Sequence, residues 1–111
     1  MKLRHAQFLV MLIALAALAL ALRQDMSAYA LQRGEARLLA GDVPGAEAAF
    51  RMAVTLGGDP ALPAYNLGVG LYGKGAYSQA QGQFTGALAS AGPGLAAAAH
   101  YNRGNSLFRQ A

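Results

Sequence analysis

Apolar residues follow two different patterns along the chain. From Ala6 to Leu22 the sequence AQFLVMLIALAALALAL carries no charge and one polar residue, Gln7. Its apolar positions cover every face of a helix rather than a single stripe. Beyond Arg23 the apolar positions become spaced, as in Ala46, Phe50, Ala53 and Val54, and again in Ala80, Phe84, Ala87 and Leu88. That spacing predicts amphipathic helices. Gly41-Asp42 and Gly75 separate one helix from the next, and Gly57-Gly58-Asp59-Pro60 and Gly92-Pro93-Gly94 mark wider boundaries. No Gly or Pro falls between Ala6 and Gln32, so the apolar helix is expected to run on into the first amphipathic helix.

The apolar run is slightly short for a spanning helix, which takes about 17–25 residues. A basic tail over residues 1–5, with Lys2, Arg4 and His5, precedes it, and Arg23 follows. Arginine side chains can reach the interface and close the gap in length. Residues 6–22 therefore read as a membrane anchor or uncleaved signal. A cleaved signal peptide is the alternative, with Ala28-Tyr29-Ala30 as an A-x-A site. That site lies eight residues past the apolar run and behind Arg23 and Asp25, a poor approach for a peptidase. Ala19-Leu20-Ala21 also fits, but inside the run. Basic residues are nearly balanced across the segment. A lone N-terminal span usually leaves its short tail inside, which places residues 23–111 outside the cytoplasm. The Ala/Gly/Leu-rich usage suggests a bacterium, so the expected location is the inner membrane, single-pass, with the folded part in the periplasm.

Internal repetition organises the remainder. Aligning Gly34 with Gly68, 34 residues on, also aligns Gly41 with Gly75, Ala46 with Ala80, Phe50 with Phe84 and Ala53 with Ala87. A third copy begins around Gly104, where Tyr101-Asn102 repeats Tyr65-Asn66 and Phe108 repeats Tyr72. Gly34, Gly68 and Gly104 are expected to allow close helix approach, as are Ala46 and Ala80. Phe50 and Phe84 are expected to fill the space between helix pairs, with Ala53, Leu67 and Ala87 completing the packing.

The period of 34 and the residue pattern resemble the tetratricopeptide (TPR) repeat. The middle copy reads Ala64-x2-Leu67-Gly68-x2-Leu71, then Ala80-x3-Phe84, then Pro93. The first copy matches in its second half but has Arg33 and Arg37 where apolar residues are usual. The resemblance covers about residues 27–111, as repeats 27–60 and 61–94 and a partial repeat 97–111. It implies an all-α chain: one N-terminal transmembrane helix, then an antiparallel helix-turn-helix solenoid of about two and a half repeats. Such a solenoid leaves the last helix with an uncovered side, so either the chain continues past Ala111 or a partner covers it.

In TPR proteins the first helix of each repeat lines a concave groove that holds a peptide or partner helix. Carried over, the groove positions are Leu31, Glu35 and Leu38, then Tyr65, Asn66, Val69 and Tyr72, then Tyr101, Asn102, Asn105, Phe108 and Arg109. An aromatic, weakly charged groove suits an apolar or extended protein segment. The simpler alternative is that Tyr65 and Tyr101 pack between repeats. The clamp of Lys and Asn used by chaperone-binding relatives is not evident. The run from His100 to Gln110 is similar to repeats from bacterial operons encoding von Willebrand-type domains and a MoxR-type ATPase. The layout, an apolar N-terminal helix before short repeats, resembles the K-type accessory proteins of methanol-oxidation clusters. That resemblance implies a part in maturing or metal-loading periplasmic methanol dehydrogenase. Two other readings stand beside it: a small membrane subunit whose apolar helix is the main interaction element, and a secreted repeat protein.

Composition narrows the chemistry. The chain has no cysteine, which removes disulfides, Fe–S clusters and thiolate zinc sites. The net charge is +4, but from Gln24 onward six Lys and Arg stand against five Asp and Glu. A basic face for nucleic acid is therefore not expected. Gly68-Val69-Gly70-Leu71-Tyr72-Gly73 spells G-x-G-x-x-G, yet no strand precedes it, as a dinucleotide loop requires. Asp25, Glu35, Asp42, Glu47 and Asp59 are scattered, and His5 and His100 lack neighbours at metal-ligand spacing. The serines lack a nucleophile motif. Ala17 and Ala21 form one small-xxx-small pair, a spacing that can aid helix pairing in a bilayer but also arises by chance in an Ala/Leu run. The expectation is a protein-binding scaffold with no catalytic residues, cofactor, metal or small-molecule substrate.

Overall fold

The structure, a computed structural model, describes residues 2–111. They form five α-helices and no strand: α1 (Lys2–Leu39), α2 (Val43–Thr55), α3 (Ala61–Gly73), α4 (Tyr77–Ala87) and α5 (Pro93–Gln110). The expected run-on of the apolar helix is observed, since α1 is unbroken over 38 residues. At 1.5 Å per residue it is about 57 Å long, which accounts for molecular extents of 73 × 28 × 16 Å. Lys2, Arg4 and His5 belong to its first turns and do not form a separate tail. Met1, the remaining residue of that expected tail, lies outside the described residues. The N-terminal part of α1 is exposed, and its first buried residue is Ser27. This helix is long and apolar enough to cross a membrane.

Three turns share one construction. Gly41, Gly57 and Gly75 have φ of 76°, 97° and 78°, a region open to glycine and costly for residues with a Cβ. Each follows a helix C-terminus and closes a pair of hydrogen bonds. Gly41 N–H donates to Leu38 O and Asp42 N–H to Arg37 O, both at 2.9 Å. Gly57 and Gly58 donate to Val54 and Ala53, and Gly75 and Ala76 to Tyr72 and Leu71, in the same order. These are Schellman caps, which satisfy the last carbonyls of a helix while turning the chain. Asp42 then starts α2 by accepting from Gly45 N at 3.0 Å, with Pro44 beside it in the first turn. Gly92 in an extended conformation and Pro93 start α5. Gly92-Pro93-Gly94 is therefore a turn only up to Gly92, and the last helix begins four residues before the expected boundary at 97.

The cross-links between α1 and α2 descend in step. Arg23 reaches Thr55 and Leu56, Ser27 reaches Ala53, Gly34 meets Phe50, and Arg37 pairs with Asp42. The two helices therefore run antiparallel. α3 and α4 repeat the arrangement, with Tyr65 and Gly68 at Phe84 and Tyr72 at Tyr77. α5 packs mainly on α4. The core is small and built from Ala46, Phe50 and Ala53 of α2, Leu67 of α3 and Ala80, Phe84 and Ala87 of α4, all buried.

The expected packing residues take these places with one exception and one refinement. Phe50 and Phe84 lie chiefly within each helix pair: a Cβ at Gly34 would meet the Phe50 ring, and one at Gly68 would meet the Phe84 ring. Phe50 also clusters with Leu67 of the next pair. Gly104 is the correction. It is exposed, with nothing within 4 Å of a Cβ built there. Its counterparts are covered by the phenylalanine of a following helix, and among the described residues no helix follows α5.

Candidate functional site

α1 and α3 lie side by side, and their relative height is set by contacts no repeat pattern specifies. Gly70 of α3 sits against Leu38 of α1, where a Cβ would come within 2.7 Å of Leu38 Cδ2. Lys74 Nζ donates to the carbonyl of Gly41, tying the turn after α3 to the turn after α1. Between the two helices is a shallow cleft of about 340 Å³, lined by Glu35, Leu38 and Leu39 of α1 and Asn66, Val69 and Gly70 of α3. Four of the expected groove residues, Glu35, Leu38, Asn66 and Val69, meet here. The Asn66 amide nitrogen lies 3.5 Å from Glu35 Oε1, a long contact. Leu31 lies lower and packs with Leu38 against the core cluster.

The remaining groove residues divide. Tyr65 is half-buried, with its ring 5.6 Å from that of Phe84. Its hydroxyl accepts from Asn102 Nδ2 at 2.9 Å, which links α3 to α5. Tyr65 thus contacts α4 within its own repeat and α5 of the next, and Asn102 is spent on the second of these contacts. Tyr72 stacks edge-on against Tyr77 at 5.1 Å, and Arg109 lies over the other ring of that contact, 5.3 Å from the Tyr77 centroid. Tyr101 and Phe108 are not part of the cleft. They are 71% and 80% exposed. Their counterparts Tyr65 and Tyr72 contact the following helix, and α5 has none among the described residues. Asn105 is half-buried on α5.

Several residues with clear structural roles carried no signal in the sequence pattern. Ser27 Oγ donates to Ala53 O at 2.7 Å in a buried position. Arg23, read only as a membrane flank, donates to Thr55 O at 2.8 Å and Leu56 O at 3.2 Å and so closes the end of α2. This fixes the turn after α2 at the level where the apolar segment ends. The G-x-G-x-x-G run lies within α3, and Gly68 and Gly70 in it are helix-contact residues.

Three of the carboxylates have structural roles. Asp42 caps α2 and pairs with Arg37 at 3.2 Å, Glu47 pairs with Arg51 at 3.1 Å, and Asp59 accepts from Ala61 N at 3.0 Å. Among the described residues no three His, Asp or Glu side chains are grouped to hold a metal ion. The site is thus a mostly apolar cleft with one carboxylate and one amide in its lining. Against known proteins, the chain matches no family model, no curated protein and no solved structure.

Proposed function

We propose that the chain is a membrane-anchored helical scaffold of TPR type that holds a protein partner during assembly or maturation of a cell-envelope complex. The observation that supports this most is the continuity of α1. One helix carries the apolar segment and then forms the first wall of the α1–α3 cleft. Arg23 and Ser27 join that helix to α2 directly beyond the apolar stretch. A partner in the cleft would therefore be held at a fixed height above the bilayer, which an unstructured tether could not do.

The cleft accommodates an extended or helical segment with apolar side chains between Leu38, Leu39 and Val69. Glu35 and Asn66 at its edge are available to the segment's backbone amides or to a basic side chain. The finer assignment, to maturation of methanol dehydrogenase, rests on the layout and on the His100–Gln110 run. It implies that a strain lacking this chain makes under-loaded enzyme; fully loaded enzyme in that strain contradicts it.

The general reading is tested by capture from membranes with the full chain and with a Leu39→Glu/Val69→Glu variant. Both side chains are exposed, so the variant should keep its helical content and melting temperature. The reading expects a discrete partner that the variant loses and that a Phe108→Glu control retains. An unchanged set of captured proteins contradicts it.

A further inference from the structure

A second cleft lies on α1 and α2, on the side away from α3. It measures about 530 Å³, and its floor is apolar. Met26 and Tyr29 of α1 and Met52 of α2 are each more than half exposed along it. Arg33 and Arg37 stand on its rim, and no carboxylate lines it. Arg37 is paired with Asp42, whereas Arg33 has no hydrogen-bond or ion-pair partner among the described residues.

The cleft has a direction. Met26, Tyr29 and Arg33 share a stripe of α1 that continues back through Leu22, Ala19, Leu15, Leu12 and Phe8, in alternating steps of four and three. That is the seam along which one helix packs on another. The stripe is exposed from Phe8 onward and gains a second wall, α2, only beyond Arg23. A helix lying along α1 in a membrane would leave the bilayer directly into the cleft.

We propose that this cleft receives the juxtamembrane helix of a different single-span membrane protein, one with a carboxylate facing Arg33. The inference rests on the anchor reading above but concerns a different face from the α1–α3 cleft. Charge decides the occupant. A parallel second copy of this chain would set Arg33 against Arg33 along the same seam. An acidic side chain would complete the unpaired guanidinium. From Leu22 to Arg33 the helix rises about 16 Å, so the partner's carboxylate lies about ten or eleven residues beyond its own apolar segment. Met26 and Met52 provide an adaptable apolar floor for its side chains.

The test uses the full chain in its native membrane, with a photo-crosslinking residue at Tyr29 or Met52 and, as control, at Leu62 on the other face. Adducts are mapped by mass spectrometry. The proposal expects one membrane protein, cross-linked just outside its span. The yield should fall about tenfold in Arg33→Glu and return when the mapped partner carboxylate is changed to Lys. Adducts to lipid alone, to a second copy, to a protein lacking such a carboxylate, or to nothing overturn it while leaving the anchor intact. A chain released from membranes by alkaline carbonate overturns the anchor and the cleft partner together.

Discussion

Glycines 68 and 104 occupy the same place in the sequence repeat and opposite places in the molecule. Gly68 is buried under the fully buried ring of Phe84. Gly104 faces open space. Gly68→Ala should therefore destabilise the fold by about 1–3 kcal/mol, because the ring has nowhere to move. Gly104→Ala should stabilise by about 0.5–1 kcal/mol, the ordinary helix preference for alanine. Thermal unfolding of the full chain in detergent separates the two; equal losses would mean that α5 is covered where it is now open. Ser27→Ala removes a buried hydrogen bond to Ala53 and should cost about 1 kcal/mol in the same assay. A repeat alignment identifies Gly34 and Gly68 because each has a copy one period away. It cannot identify Ser27, Arg23 or Gly70. Arg23 lies before the repeat begins, Ser27 stands at its first position where the second copy has Ala61, and Gly70 meets Leu38 through the offset between helix pairs. Tyr65 is legible as an aromatic at a register that Tyr101 repeats, but its contacts with Phe84 and Asn102 needed coordinates.

At the scale of elements, the glycines that stop the helices were readable and the exact height of each helix was not. Gly41, Gly57 and Gly75 punctuate the apolar spacing, and each adopts the positive φ that a Schellman cap requires. Gly75→Ala should cost about 1–2 kcal/mol. Gly82→Ala, at an exposed mid-helix position of α4 with no atom near its Cβ, should stabilise by up to about 1 kcal/mol. Chemical or thermal unfolding of the two variants checks the contrast. α5 starts at Pro93, four residues before the expected repeat boundary at 97, because Gly92-Pro93-Gly94 reads as a turn whereas Pro93 is favoured in the first turn of a helix. Arg23 shows the opposite limit, a residue whose flank position was plain and whose capping of α2 needed coordinates. Arg23→Ala should speed hydrogen exchange at Leu56, Gly57 and Gly58, with Arg23→Lys intermediate. Unchanged exchange there would show that the α2 terminus stands without it.

For the whole molecule, α1 is the organising element. Its apolar length, its lack of Gly and Pro, and its continuation into the helical hairpins were all legible from residues 6–32. The partition of the expected groove was not. It depends on which neighbour covers each face of α3 and α5: Asn66 meets the α1–α3 cleft, Tyr65, Tyr72 and Asn102 contact neighbouring helices, and Tyr101 and Phe108 stay exposed. The central claim is that residues 6–22 sit in a bilayer while the hairpins stand outside it in water. Because the chain has no cysteine, single substitutions Leu15→Cys and Ser78→Cys can be labelled one at a time with a membrane-impermeant maleimide in spheroplasts. The account predicts that Ser78→Cys reacts in intact spheroplasts and that Leu15→Cys reacts only after detergent dissolves the membrane. If Leu15→Cys reacts as fast as Ser78→Cys without detergent, the segment is not in a bilayer and the anchored scaffold is wrong. If Ser78→Cys reacts only after lysis, the hairpins face the cytoplasm instead.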